Sequence, residues 1–137
     1  MRQVASVFVG IVAWFCVATV VNFTLRIFWP DYAAVEKSMN FTLGMQVARL
    51  ILGAFASVCA GFAAAVVARG SATPVKALAV LLLLLFIPVH YALWDKFPIW
   101  YHLTFLISLV PLTYVGNSIA SGVMRAHATH RPIAAAS

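Results

Sequence analysis

The sequence predicts an all-α integral membrane protein whose four helices pack as an up-down-up-down bundle. Three observations point there. Residues 4–25, 50–68, 77–94 and 97–124 contain no Asp, Glu, Lys or Arg. Hydrophobic residues make up 64% of the 137-residue chain and charged residues only 9%. The connections left between the uncharged stretches are short. A bilayer core of about 30 Å takes roughly 20 helical residues, so each stretch is long enough, or nearly so, to cross it. A soluble domain of this composition lacks the polar surface to cover itself. Short connections make neighbouring helices antiparallel. The whole chain, 1–137, therefore reads as one transmembrane domain with helices at about 4–29, 41–68, 74–94 and 98–121.

The first span follows Arg2 and has the look of a secretory signal. Its apolar run is too long for one, and no small-x-small cleavage site ends it. Trp14 and Phe15 before Cys16 do not suit a lipoprotein site either, so the segment reads as a retained helix. A loop of about ten residues carrying Asp31, Glu36 and Lys37 leads to the second span. That span repeats Gly53, Ser57, Gly61 and Ala65 at four-residue spacing, with Ala56, Ala60, Ala64 and Ala68 beside them. In lipid, helices associate through close packing of small residues rather than through the hydrophobic effect. The second helix is therefore expected at the centre of the bundle. The same face (Gly53, Ser57, Gly61, Ala65) offers an alternative use, as the contact of a homo-oligomer or of a larger membrane complex.

Pro74 suits the first turn of the third span. The leucines of 81–85 are bulky on every side, as expected of a helix that largely faces lipid. Residues 95–98 make a tight connection, with Pro98 opening the fourth span. Pro88 and Pro111 each remove one backbone hydrogen bond and can kink their helices. Cys16 and Cys59 both fall inside spans, where free Cys behaves as a small apolar residue. No CxxC and no Cys/His pair has metal-ligand spacing.

Orientation follows from the distribution of Lys and Arg. Arg2, Arg69, Lys76, Arg125 and Arg131 share one side, without an acid. The other side holds Lys37 and Lys96 in its loops, together with Asp31, Glu36 and Asp95. A bacterial-type inner membrane protein with both termini in the cytoplasm is expected. The net charge of +6 then reflects topology and contact with anionic lipid headgroups. No basic run interleaved with aromatics suggests nucleic acid. His127 and His130, beside Arg125 and Arg131, read as a solvated basic tail.

One constellation carries possible chemistry, at the outer ends of the helices. Asn22 and Arg26 lie four apart on the first span, and Gln46 and Arg49 three apart at the start of the second. His90, Asp95, Tyr101 and His102 come from the hairpin of the last two. The histidines stand six residues to either side of Lys96, which places them at similar depth. The plain reading is anchoring: Trp and Tyr favour the interface, and Arg26 and Arg49 snorkel to headgroups or pair with Asp31, Glu36 or Asp95. The functional reading is a lipid-headgroup or quinone site for an anionic or carbonyl-bearing amphiphile. Haem held by His90 and His102 would need the rings on opposite faces of a porphyrin, and adjacent helices of a tight hairpin sit too close.

A span count and size like these resemble, in architecture alone, small multidrug transporters, small lipid-modifying enzymes and accessory respiratory subunits. A proton-coupled exporter normally needs an acid inside the membrane, and no span has one. An enzyme needs a nucleophile or base with a partner, and no spacing here favours one. The expectation is a non-enzymatic accessory or structural subunit of a membrane complex. The alternative is a small transporter or a lipid- or quinone-binding protein using the outer polar rim.

Overall fold

Freedom from charge over a helix-long stretch lets a segment satisfy its backbone internally in lipid. The computed structural model, which describes residues 1–129, forms helix over all four stretches. The elements are α1 (Arg2–Phe28), a short α2 (Pro30–Val35), α3 (Leu43–Val67), α4 (Ala72–Ala92), a 3₁₀ turn (Trp94–Lys96) and α5 (Ile99–Thr129). Among the described residues there is no strand. α1, α3, α4 and α5 are each long and apolar enough to span a bilayer, so this is a multi-pass membrane protein.

Two elements depart from expectation. The segment after the first span is not simply a loop, because Pro30 opens α2. Its ring pre-sets φ, and its missing N–H is not needed in a first turn. Tyr32, with no exposed surface, pins α2 to the bundle. The last helix also runs on to Thr129 instead of ending near residue 121. After Gly122 it meets Met124, Arg125 and Ala126, all good helix formers, and no proline before Arg131. Arg125 and His127 therefore ride on a helix, near the end where the macrodipole favours cations. His130 and Arg131 lie outside the described residues.

The remaining boundaries have local causes. The Thr42 side chain accepts from Met45 N–H at 3.5 Å and caps α3. α3 ends where Arg69 and Gly70 take left-handed φ values of 54° and 81°, and Gly70 N–H returns to the Ala65 carbonyl at 3.0 Å. That closure satisfies a carbonyl the helix end would otherwise orphan. Pro74 falls in the first turn of α4, and Pro98 directly precedes α5.

α3 sits between α1 and α5. Ala56, Ala60, Ala64 and Ala65 are wholly buried, and Gly53, Ser57 and Gly61 are buried beside them. A Cβ on Gly61 would land on the Thr113 carbonyl of α5, and one on Gly116 would land on the Val58 carbonyl of α3. The two backbones thus touch, a contact that only glycine permits. The small-residue face is occupied within a single copy of the chain. On the opposite flank, Ser6 Oγ donates to the Ala64 carbonyl at 2.6 Å and Trp14 Nε1 donates to Ser57 Oγ at 3.1 Å.

The order of contacts sets the relative directions. Ser6 meets Ala64 while Trp14 meets Ser57, so α1 runs opposite to α3. Gly53 meets Phe105 while Gly61 meets Thr113, so α5 runs with α3. Both relations fit an alternating bundle. α4 buries Val75, Leu78, Leu82 and Phe86 and exposes Leu81, Leu84 and Leu85, as a lipid-facing helix does. Cys16 and Cys59 are both free thiols.

Candidate functional site

Where α1 passes into α2 and α4 into the 3₁₀ turn, side chains of all four long helices enclose a cavity of about 390 Å³. Asn22 and Arg26 of α1, Arg49 of α3, His90 of α4, and Tyr101 and His102 of α5 line it. These are six of the eight residues singled out from the sequence. The other two fall outside. Gln46 lies a turn before Arg49, but its amide folds back to donate to the Phe41 carbonyl at 3.1 Å. Asp95 is exposed on the 3₁₀ turn, where the chain reverses beyond the cavity.

The inner wall is aromatic. Trp14 meets Phe86 at 4.5 Å between ring centroids, and Phe86 meets Phe105 edge-on at 5.1 Å. Thr19 and Phe23 of α1 and Val89 of α4 also line the cavity and are exposed. The cavity therefore reaches the outer surface sideways, between α1 and α4. In a membrane protein that surface meets acyl chains over most of its height.

A continuous polar chain crosses the site. Arg26 Nε pairs with Glu36 Oε2 at 3.1 Å. Asn22 Nδ2 donates to Glu36 Oε1 at 2.9 Å, and Tyr32 OH donates to Asn22 Oδ1 at 2.6 Å. Arg49 Nη1 donates to Tyr32 OH at 2.8 Å. Burial pushes the Tyr32 phenol above its usual range, and the Arg49 guanidinium pulls it back only in part. At neutral pH the phenol thus keeps its proton, which it must do to donate to Asn22 while accepting from Arg49.

The two arginines have different surroundings. Arg26 is half exposed at 51% and has its carboxylate. It suits the anchoring expected of it. Arg49 does not snorkel outward. Its guanidinium is turned into the protein, under the Phe41 ring at 4.8 Å from the centroid, and its Nε is buried without a hydrogen-bond partner. Among the described residues the ion pair of Arg26 with Glu36 stands alone, so Arg49 has no carboxylate.

The histidines meet as their symmetric placement about Lys96 implies. Their Nδ1 atoms are 2.8 Å apart, and both rings are buried. Trp94 stacks on His102 at 4.9 Å, and Tyr101 stacks on His90 at 6.0 Å. A neutral pair has one proton between the two Nδ1 atoms. The ring that accepts it must carry its own proton on Nε2, and the ring that donates has a bare Nε2. The pair thus has one donor and one acceptor to spare. His102 Nε2 is buried without a partner. Rings in direct contact leave no room between them for a porphyrin. Among the described residues no group of three His, Cys, Asp or Glu side chains converges as a metal site.

Sequence reasoning counts Tyr32 only among the interfacial aromatics and Glu36 only as one possible ion-pair partner. The signal was present: a proline able to start a helix at Pro30 places Tyr32 and Glu36 four residues apart, on one face. Trp14 was also passed over. Its part depends on the register of α1 against Ser57, which no local pattern encodes. The chain matches no protein-family model, no curated protein and no solved structure.

Proposed function

We propose that this small membrane protein binds an amphiphile drawn from the bilayer. The head of the ligand enters the cavity, and its apolar part lies between α1 and α4. One observation carries this reading: the cavity combines a sideways opening at exposed apolar residues with a polar lining that includes Arg49, which has no carboxylate, and the buried His90–His102 pair. Buried polar groups are normally satisfied within the protein. Ionisable residues inside a membrane bundle usually mark a ligand or ion path. An apolar pocket with a few convergent polar groups is the usual form of a small-molecule site. The distribution of Lys and Arg supports a bacterial-type inner membrane with cytoplasmic termini, which puts the cavity towards the outer leaflet.

Extraction in a mild detergent followed by mass spectrometry tests the reading. The wild-type chain should retain about one lipid or quinone per copy, one head to the cavity. Ala18→Trp places an indole in the cavity and should abolish retention while the chain stays folded. Wild-type protein free of amphiphile but bound to a second polypeptide would favour an accessory-subunit role instead.

A further inference from the structure

We propose that the cavity is built for an oxyanion head with one net negative charge, seated on Arg49 and hydrogen-bonded by the His90–His102 pair. This rests on the amphiphile reading above and narrows it to a chemical class.

Three charged side chains line the cavity: Arg26, Glu36 and Arg49. Arg26 and Glu36 are paired at 3.1 Å and cancel. The chain has only two other acids, Asp31 and Asp95. Both are exposed, and neither lines the cavity. One positive charge is left over. An unpaired charge away from water is costly. The Tyr32 hydroxyl and the Phe41 ring solvate the guanidinium but do not neutralise it. A single negative charge on the ligand would.

A guanidinium offers five N–H donors in a planar fork that matches phosphate or carboxylate oxygens. Arg49 lines the cavity, and Tyr32 occupies only one of its donors, Nη1. The neutral histidine pair adds a further donor on one Nε2. Tyr101 packs against His90 and lines the same cavity, with its hydroxyl beside Arg49. Donors thus outnumber acceptors around a positive centre, as an oxyanion requires. A quinone carbonyl would use a histidine donor but leave the charge on Arg49 unmatched. A zwitterionic head would bring its own cation beside a guanidinium.

The test compares heads at constant acyl chain. The full chain is placed in nanodiscs of phosphatidylcholine, with and without phosphatidylglycerol, and bound lipid is counted by native mass spectrometry. Phosphatidylglycerol should be enriched about tenfold over phosphatidylcholine, the preference a single matched charge can supply. Arg49→Gln should erase the preference. Arg49→Lys should keep part of it, because lysine retains the charge but not the fork. If Arg49→Gln fails to fold, the double variant Arg26→Gln/Glu36→Gln decides, because it removes the ion pair and leaves the net charge of the cavity unchanged. Retention of the preference in the double variant supports Arg49 as the seat, and its loss overturns that seat. Inorganic phosphate added at millimolar concentration distinguishes the source. No competition supports a lipid head. Displacement of lipid by phosphate keeps the oxyanion chemistry and overturns its membrane origin. Equal binding of both lipids overturns the charge assignment while leaving the amphiphile reading intact. Binding of neither overturns the amphiphile reading itself.

Discussion

The two halves of α3 do opposite things. From Gly53 to Ala65 it packs small residues against α1 and α5, closely enough that its backbone touches that of α5 at Gly61 and Gly116. From Leu43 to Leu52 it lends Arg49 and Leu52 to the cavity, and Arg49 Nε finds no partner. One half leaves no space unfilled, and the other leaves polar capacity unused. In lipid, stability comes from close packing and satisfied polar groups. The first half is accordingly the scaffold, and the second is where the chain accepts less than complete satisfaction.

The largest test of that contrast is Gly61→Leu. Its side chain would collide with the Thr113 carbonyl, and overpacking of this kind costs about 3 kcal/mol. Leu84→Ala on the exposed face of α4 should cost little, because lipid fills the space. Melting temperatures in detergent compare the two, and equal values would break the distinction between scaffold and surface. Trp14→Phe lies at the boundary between the halves. It removes the bond to Ser57, but Ser57 keeps its own to the Gly53 carbonyl at 2.7 Å, so about 1 kcal/mol should be lost. A loss as large as that of Gly61→Leu would move Trp14 into the scaffold.

Tyr32→Phe removes the hydroxyl that joins Asn22 to Arg49 and should cost about 1 kcal/mol at neutral pH. Its pH dependence sharpens the point. The folded-state phenol is held above its ordinary value of 10.0. Its contribution to stability is therefore full below pH 10.0 and is lost as pH rises through the raised value. Alkaline melting curves should fall in the wild type, and that component should be missing in Tyr32→Phe. An unchanged alkaline decline would show that Tyr32 ionises as an exposed phenol does.

The smallest effect is expected at Arg49. With no lipid added, Arg49→Gln should shift stability by less than about 1 kcal/mol, since it removes a buried charge that has no ionic partner. A large loss in detergent alone would make Arg49 part of the scaffold and remove the contrast.

Much of this was legible in the sequence. Uncharged stretches located the four spans, because charge inside a bilayer is too costly to be scattered at random. The Gly-Ser-Gly-Ala stripe marked α3 as the helix that others approach. Six of the eight polar residues chosen for the outer rim do line one cavity, because the helical period and the tight α4–α5 connection bring them to one level. Gly116 was not legible as the counterpart of Gly61, since a lone glycine acquires that part only through register. Nor was α5 beyond residue 121, where the apolar pattern ends but helix-favouring residues do not. Arg49 misled for a physical reason. A long side chain near a helix end can snorkel out or turn in, and the choice depends on what stands opposite.

The sequence by itself determined the solvent of this protein, the number of its spans and the helix at its centre. These depend on composition and on spacing along one chain, and both are local quantities. Only the tertiary structure decided that Glu36 belongs to Arg26, that Tyr32 and Phe41 hold Arg49 inward, and that the two histidines meet through their Nδ1 atoms. Each of those depends on which side chain stands across a gap of about 3 Å, the reach of a hydrogen bond. Distances that short between separate helices are set by packing register, which no periodicity within a single helix records.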